Sequence, residues 1–205
     1  MFDNNELLVY TLNKETKSVG TKMELNEKTL NKNTIFKGKI LNLRSDTALL
    51  PNGTTAVREV IEHSGGVCVA AIDENDNVLM VKQFRYPYGK VLLEIPAGKR
   101  DKEGDHDPLS CGKRELKEET GAVAGEYISL GQLYPTPAYC DEIIYMYAAK
   151  NLSMGDKSLD DDEFLDVVKM PLKKAVEMVL SNEIKDAKTQ TAILKLYYLR
   201  QKGLF

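Results

Sequence analysis

Lys113-Arg114-Glu115-Leu116-Lys117-Glu118-Glu119-Thr120-Gly121-Ala122-Val123 is the stretch on which the reading of this chain turns. Glu115, Glu118 and Glu119 stand at i, i+3 and i+4, so on a helix they are neighbours on one stripe. Like charges so placed repel by roughly 0.2–0.5 kcal/mol per exposed pair. A cation that neutralises the stripe explains it best. Ligands that are all oxygen point to a hard divalent ion such as Mg2+ or Mn2+. The competing reading is a solvated helix face on which Arg114 and Glu118 form an ordinary i, i+4 pair.

The helix around the stripe has legible ends. Asp107 is an N-cap followed by Pro108 in the first turn, and Gly121 is the residue that closes the helix. Leu109, Gly112 and Leu116 fall at i, i+3 and i+7 and face the core. Upstream, residues 66–72 form a continuous apolar run that predicts a buried strand. Residues 73–77 are a turn, residues 78–84 return as the hairpin partner, and residues 91–95 make a further short strand. Downstream, 127–134, 142–149 and 164–170 read as strands, and 171–180 and 187–201 as amphipathic helices. Nearer the N-terminus, 36–43 and 47–50 flank a charged break, Pro51-Asn52-Gly53 is a turn, and 56–63 is a returning strand. Residues 1–33 are polar and weakly patterned. The division expected is a β-rich N-terminal domain over 1–63 and a larger α/β domain over 64–205.

Bulk properties narrow the classes. A chain of 205 residues holds one domain plus an elaboration, or two small domains. Its 42% hydrophobic and 29% charged content excludes disorder. A net charge of −3 gives no electrostatic case for nucleic acid. No apolar run reaches membrane-spanning length, and the acidic start Met1-Phe2-Asp3 is unlike a secretory signal. Cys68, Cys111 and Cys140 are widely spaced, which predicts free thiols and a cytoplasmic, reducing location.

The chemistry belongs to a strand, a glycine-bearing loop at Ala97-Gly98, and the carboxylate helix. A metal there would take Glu115, Glu119 and a loop carbonyl, with water and substrate oxygens completing the shell. Such a site suits attack of water on a phosphoanhydride.

From Gly98 to Ala122 the chain resembles the Nudix box, G-x5-E-x7-R-E-U-x-E-E-x-G-U, where U is apolar. The half Arg114-Glu115-Leu116-Lys117-Glu118-Glu119-Thr120-Gly121 matches at every fixed position. The front half departs: counted from Gly98 the box Glu lands on Gly104, and counted back from Arg114 it lands on His106. A two-residue insertion with a Glu-to-His change accounts for both. In the family that Glu braces the box Arg; Glu103 or Glu118 is the replacement expected here. Residues 81–87, 93–98, 134–137 and 186–189 resemble the ADP-ribose pyrophosphatase branch, as does Pro137, placed sixteen residues past Gly121. Residues 36–38 and 58–63 resemble that branch's small β-domain, whereas residues 1–27 lie outside the match.

The resemblance implies an α/β fold, a Nudix-type α/β/α sandwich around a mixed sheet with a small N-terminal antiparallel β-domain. It implies metal ligands at the Ala97 carbonyl, Glu115 and Glu119, with Glu118 as a further ligand or a brace for Arg114. Arg85 would contact the diphosphate or terminal ribose with its bidentate fork. Glu94 would line the cleft, Pro137 would mark the substrate side, and Arg58 and Glu59 would reach the nucleotide pocket across a homodimer interface. The general base would sit on the loop 159–164, at Glu163 in preference to Asp161. The implied reaction is Mg2+-dependent hydrolysis of a nucleoside diphosphate sugar, ADP-ribose first, with Mn2+ as the alternative ion. The competing readings are a pyrophosphatase for another nucleotide sugar such as GDP-mannose, and a non-catalytic ADP-ribose sensor.

Overall fold

Residues 66–72 are apolar without interruption because both of their faces and both of their edges are covered. The computed structural model of the protein describes residues 24–100, 107–159 and 163–205. In it, strand β5 (Gly66–Ala71) pairs antiparallel with β8 (Ala97–Lys99) on one side. On the other side it pairs parallel with β10 (Ile144–Met154), which pairs antiparallel with β9 (Ala122–Leu133). Cys68, Ala70 and Ile72 point to one face of this mixed sheet. There they pack with Ala175 and Val176 of α2 (Leu172–Leu180) and with Ile193 and Leu196 of α3 (Ala187–Gln201). Val69 and Ala71 point to the other face and pack with Leu116 of α1 (Pro108–Thr120). Each large apolar side chain so buried contributes roughly 1.5–3 kcal/mol. This is the α/β/α sandwich that the sequence implies.

A second sheet, β11 (Leu165–Pro171), β6 (Asn77–Arg85) and β7 (Lys90–Glu94), is wholly antiparallel. The hairpin expected between 66–72 and 78–84 is therefore corrected. The two strands meet only at one bridge, Ile72 to Val78, and then part into different sheets. The physical reason is competition for edges: β8 and β10 take both edges of β5, while β7 and β11 take both edges of β6.

The N-terminal sheet is built on β3 (Asn42–Leu49). On one edge it carries β1 (Lys28–Asn31) and then β2 (Thr34–Lys37), and on the other β4 (Thr55–Glu62). The charged break expected at Arg44–Asp46 is not a break. Arg44 and Asp46 lie on the same side of the strand, and Arg44 Nε donates to Asp46 Oδ2 at 2.8 Å, so β3 runs through. The interruption falls instead at Gly38, whose N–H donates to the Leu41 carbonyl in a turn. Backbone bonds join this sheet to the larger unit: Ile61 N–H to the Tyr139 carbonyl at 2.7 Å, and Asp141 N–H to the Ile61 carbonyl at 3.1 Å.

Candidate active site

Helix α1 is held at each end and in its middle, and those anchors aim its acids. The Asp107 carboxylate accepts from the Ser110 N–H at 2.8 Å, and Gly121 takes the left-handed conformation at φ 75°. A Cβ on Gly112 would come within 3.0 Å of Val67, so its absence lets the helix lie close on β5. Glu115 and Glu119 then face the Ala97-Gly98 strand. A Cβ on Gly98 would sit 2.0 Å from the Glu115 carboxylate, so only glycine leaves that carboxylate room. Glu119 is 1% exposed and accepts the Ala97 N–H at 3.2 Å. Burial pushes its carboxyl up to about 9, and the Glu163 and Glu115 charges add to the effect against the Ala97 N–H and Arg85.

The segment after β10 docks on the end of α1. Gly155 N–H donates to the Gly121 carbonyl at 2.8 Å, and Ser158 N–H to the Glu118 carbonyl at 2.9 Å. This docking carries the chain toward Glu163, which accepts from Gln83 Nε2 at 3.5 Å and shares a cleft with Glu115. The cleft measures about 730 Å3 and is also lined by Arg85, Glu94, Ala97 and Lys188. Glu115 and Glu119, held against the Ala97-Gly98 strand, are hard oxygen donors of the kind a divalent cation takes. Among the described residues no three Asp, Glu, His or Cys side chains form a ready-made cage. The donor set suits an ion that keeps several waters.

Arg114 contacts two acids of the stripe, Glu115 at 2.8 Å and Glu118 at 2.7 Å. In the same cleft Arg85 grips Glu94 with two bonds: Nε to Oε1 at 2.7 Å and Nη2 to Oε2 at 2.6 Å. Burial pushes the Glu94 carboxyl up, but Arg85 and Lys188 outweigh it and hold the group at about 2.

Other expected residues stand apart from the cleft of a single chain. Arg58 is exposed on β4 and pairs with Glu27 through two bonds of 2.8 and 2.7 Å. Glu59 is its exposed neighbour, and Pro137 is exposed in a turn whose Pro135 does line the cleft. His63, by contrast, lines the cleft and caps a turn, its Nδ1 accepting the Gly65 N–H at 3.1 Å. Cys68 and Cys111 are buried thiols outside any disulfide, and Cys140 is a half-buried one. Asp161, Glu103 and His106 lie outside the described residues, as does most of 1–27. Sequence reasoning assigned no role to Lys188, which lines the cleft and bonds Glu94. Its signal was the stretch Asp186-Ala187-Lys188-Thr189 at a helix start.

Two family models match the chain. One described as NUDIX domain covers residues 62–192, and one described as nucleoside diphosphate sugar hydrolase N-terminal domain covers residues 27–61. A Bacillus subtilis protein named ADP-ribose pyrophosphatase is 40% identical over 171 residues, which are 82% of this chain and 91% of the relative. A Bacillus methanolicus protein named methanol dehydrogenase activator is 40% identical over 169 residues, 82% of this chain and 90% of the relative. The fold is shared with a crystal structure titled as an ADP compounds hydrolase. The TM-score is 0.77 at 20% identity, over 91% of this chain and 100% of that one.

The Glu119 carboxyl has a consequence for stability. Unfolded, it ionises near its ordinary value of 4.5, whereas folded it holds its proton to about 9. Between those values the folded state binds the extra proton, so stability falls as pH rises. Thermal unfolding of chelator-treated protein should show the melting temperature declining from pH 5 to pH 9, with the decline flattened in Glu119→Gln. An identical pH slope in parent and variant would contradict the assignment.

Proposed function

This chain belongs to the NUDIX family, and from that premise we propose that it hydrolyses the pyrophosphate bond of a nucleoside diphosphate sugar, ADP-ribose foremost, giving AMP and ribose 5-phosphate. The observation that carries the reading is one cleft that brings Glu115 of α1, Glu163 and the Arg85 guanidinium together. The relative named ADP-ribose pyrophosphatase supports the choice of substrate.

In this reading the Ala97 carbonyl, Glu115 and Glu119 hold a divalent cation, Mg2+ or in its place Mn2+, and Arg114 and Glu118 brace them. Once bound, such an ion neutralises phosphate oxygens and acidifies water. The chain's own groups do the rest. Arg85 uses two nitrogens on Glu94 and so presents the far side of its guanidinium to a phosphate oxygen. Glu163 takes a proton from the attacking water as the new P–O bond forms and the anhydride P–O bond breaks. Asp161, on the same acidic loop, is the second candidate for that base. Burial of Glu119 against Ala97 keeps bulk water from screening the site.

The N-terminal sheet leaves Phe36 57% and Val57 65% exposed, a surface that a second copy of the chain would cover. We read residues 1–63 as the unit that makes this homodimer and 64–205 as the catalytic unit. Arg58, Glu59 and the turn at Pro137 then complete the nucleotide pocket of the neighbouring copy. Among the described residues no helix is long and apolar enough to cross a membrane. Three cysteines outside any disulfide suit a reducing cytoplasm.

The test is a Mg2+-dependent assay over ADP-ribose, GDP-mannose, UDP-glucose and dinucleotides, with products identified by mass. ADP-ribose should give AMP and ribose 5-phosphate, and Glu119→Gln should lower turnover at saturating Mg2+ by at least about tenfold. Unchanged turnover in that variant would remove the mechanism, and metal-independent ADP-ribose binding without AMP release would make the protein a sensor. For the dimer, equilibrium sedimentation should return twice the chain mass. A monomer would leave Arg58 and Glu59 without a pocket to serve.

A further inference from the structure

Four charged side chains meet on the wall of the cleft that β6, β7 and the start of α3 supply. Glu94, only 1% exposed, accepts Arg85 through both of its oxygens and Lys188 Nζ through Oε2. Lys188, itself 8% exposed, has a second partner in Asp186 Oδ1 at 3.0 Å. The Asp186 carboxylate is at the same time the N-cap of α3, its Oδ2 accepting the Thr189 N–H at 2.9 Å. Two cations and two carboxylates leave this wall neutral. Burial pulls the Lys188 ammonium down, but Asp186 and Glu94 outweigh it and hold it charged.

A cluster like this is weak evidence for stability, because apolar residues of similar volume hold a core as well. Its place suggests another reason. The cleft is already lined by Glu115 and Glu163. Without Lys188, Glu94 and Asp186 would outnumber Arg85, and a net negative wall would face an incoming diphosphate. A cation lost from that wall would also free Glu94 to draw the Arg85 fork deeper.

We propose that Lys188 is a positioning residue for the substrate's phosphates: it cancels one carboxylate of the Glu94 and Asp186 pair and leaves the outer side of Arg85 to the ligand. Lys188 does not act on the reacting atoms. The inference rests on the pyrophosphohydrolase reading only for the nature of the ligand, a nucleoside diphosphate.

Calorimetric titration of the full chain with ADP tests it without turnover. One unit charge about 10 Å from the anion, at an effective dielectric near 20, changes affinity roughly tenfold. Lys188→Gln, which keeps a hydrogen-bond donor, should therefore bind ADP about tenfold more weakly. Lys188→Arg should stay within about twofold of the parent, and Asp186→Asn, still a good cap, should bind about as tightly or more tightly. Parent-like affinity in a folded Lys188→Gln overturns the proposal. If that variant does not fold, weaker binding by Asp186→Asn overturns it instead. In turnover, KM should rise in Lys188→Gln while kcat holds; a fall in kcat at constant KM overturns it. A parent that binds ADP yet hydrolyses no nucleotide sugar sinks the hydrolase reading and leaves this one standing, whereas a parent that binds no ADP overturns this one.

Discussion

Carboxyl groups crowded together, one of them held protonated by its burial, are the constraint on which this structure depends. Glu119 is buried beside Glu115 and within reach of the Glu163 charge, in a place where water cannot screen them. The arrangement is costly without a cation, and the fold is organised to impose it. Gly112 lets α1 lie close on β5, Gly98 leaves a gap for the Glu115 carboxylate, and the chain after β10 is fastened to the end of the same helix. Each of these contacts would be needless for a helix that merely covered a sheet. Together they keep three acids from turning away to solvent.

The Arg85 and Glu94 wall of the cleft answers with balanced charge. Arg85 and Lys188 are both tied to Glu94, and Asp186 ties Lys188 to the start of α3. A site for a polyanion needs cations, but free cations would fold back on the acids of α1. Committing them to Glu94 and Asp186 fixes their positions and leaves directional donors rather than a diffuse field. Strand β7 supplies Glu94, strand β6 supplies Arg85 and α3 supplies Lys188, so the wall exists only when the second sheet and the last helix are assembled together.

What the sequence disclosed follows from how local each signal is. Helix α1 was legible end to end because its cap, its glycine and its apolar spacing lie within a few residues of one another. So were α3 and the buried strand β5. The pairing of β5 with β10 rather than β6 was not legible, because two adjacent strands with a tight turn carry the same local pattern whether or not they share a sheet. The charged residues of β3 looked like a break because the Arg44–Asp46 pair is visible only once the strand is formed. The bond from Lys188 to Glu94 spans 94 positions, and nothing near either residue announces the other. The acids of α1 could be named from spacing, but their burial, which gives them their chemistry, could not.

The most direct test is the proton. With Glu119 holding its proton to about 9, a cation that takes this carboxylate near neutral pH must expel it. Mg2+ or Mn2+ titrated calorimetrically at pH 7.5 in buffers of different ionisation enthalpy reports that release. The account predicts saturable binding with close to one proton set free, and the release lost in Glu119→Gln. Binding with no proton exchange, or no binding by the parent at all, would contradict it.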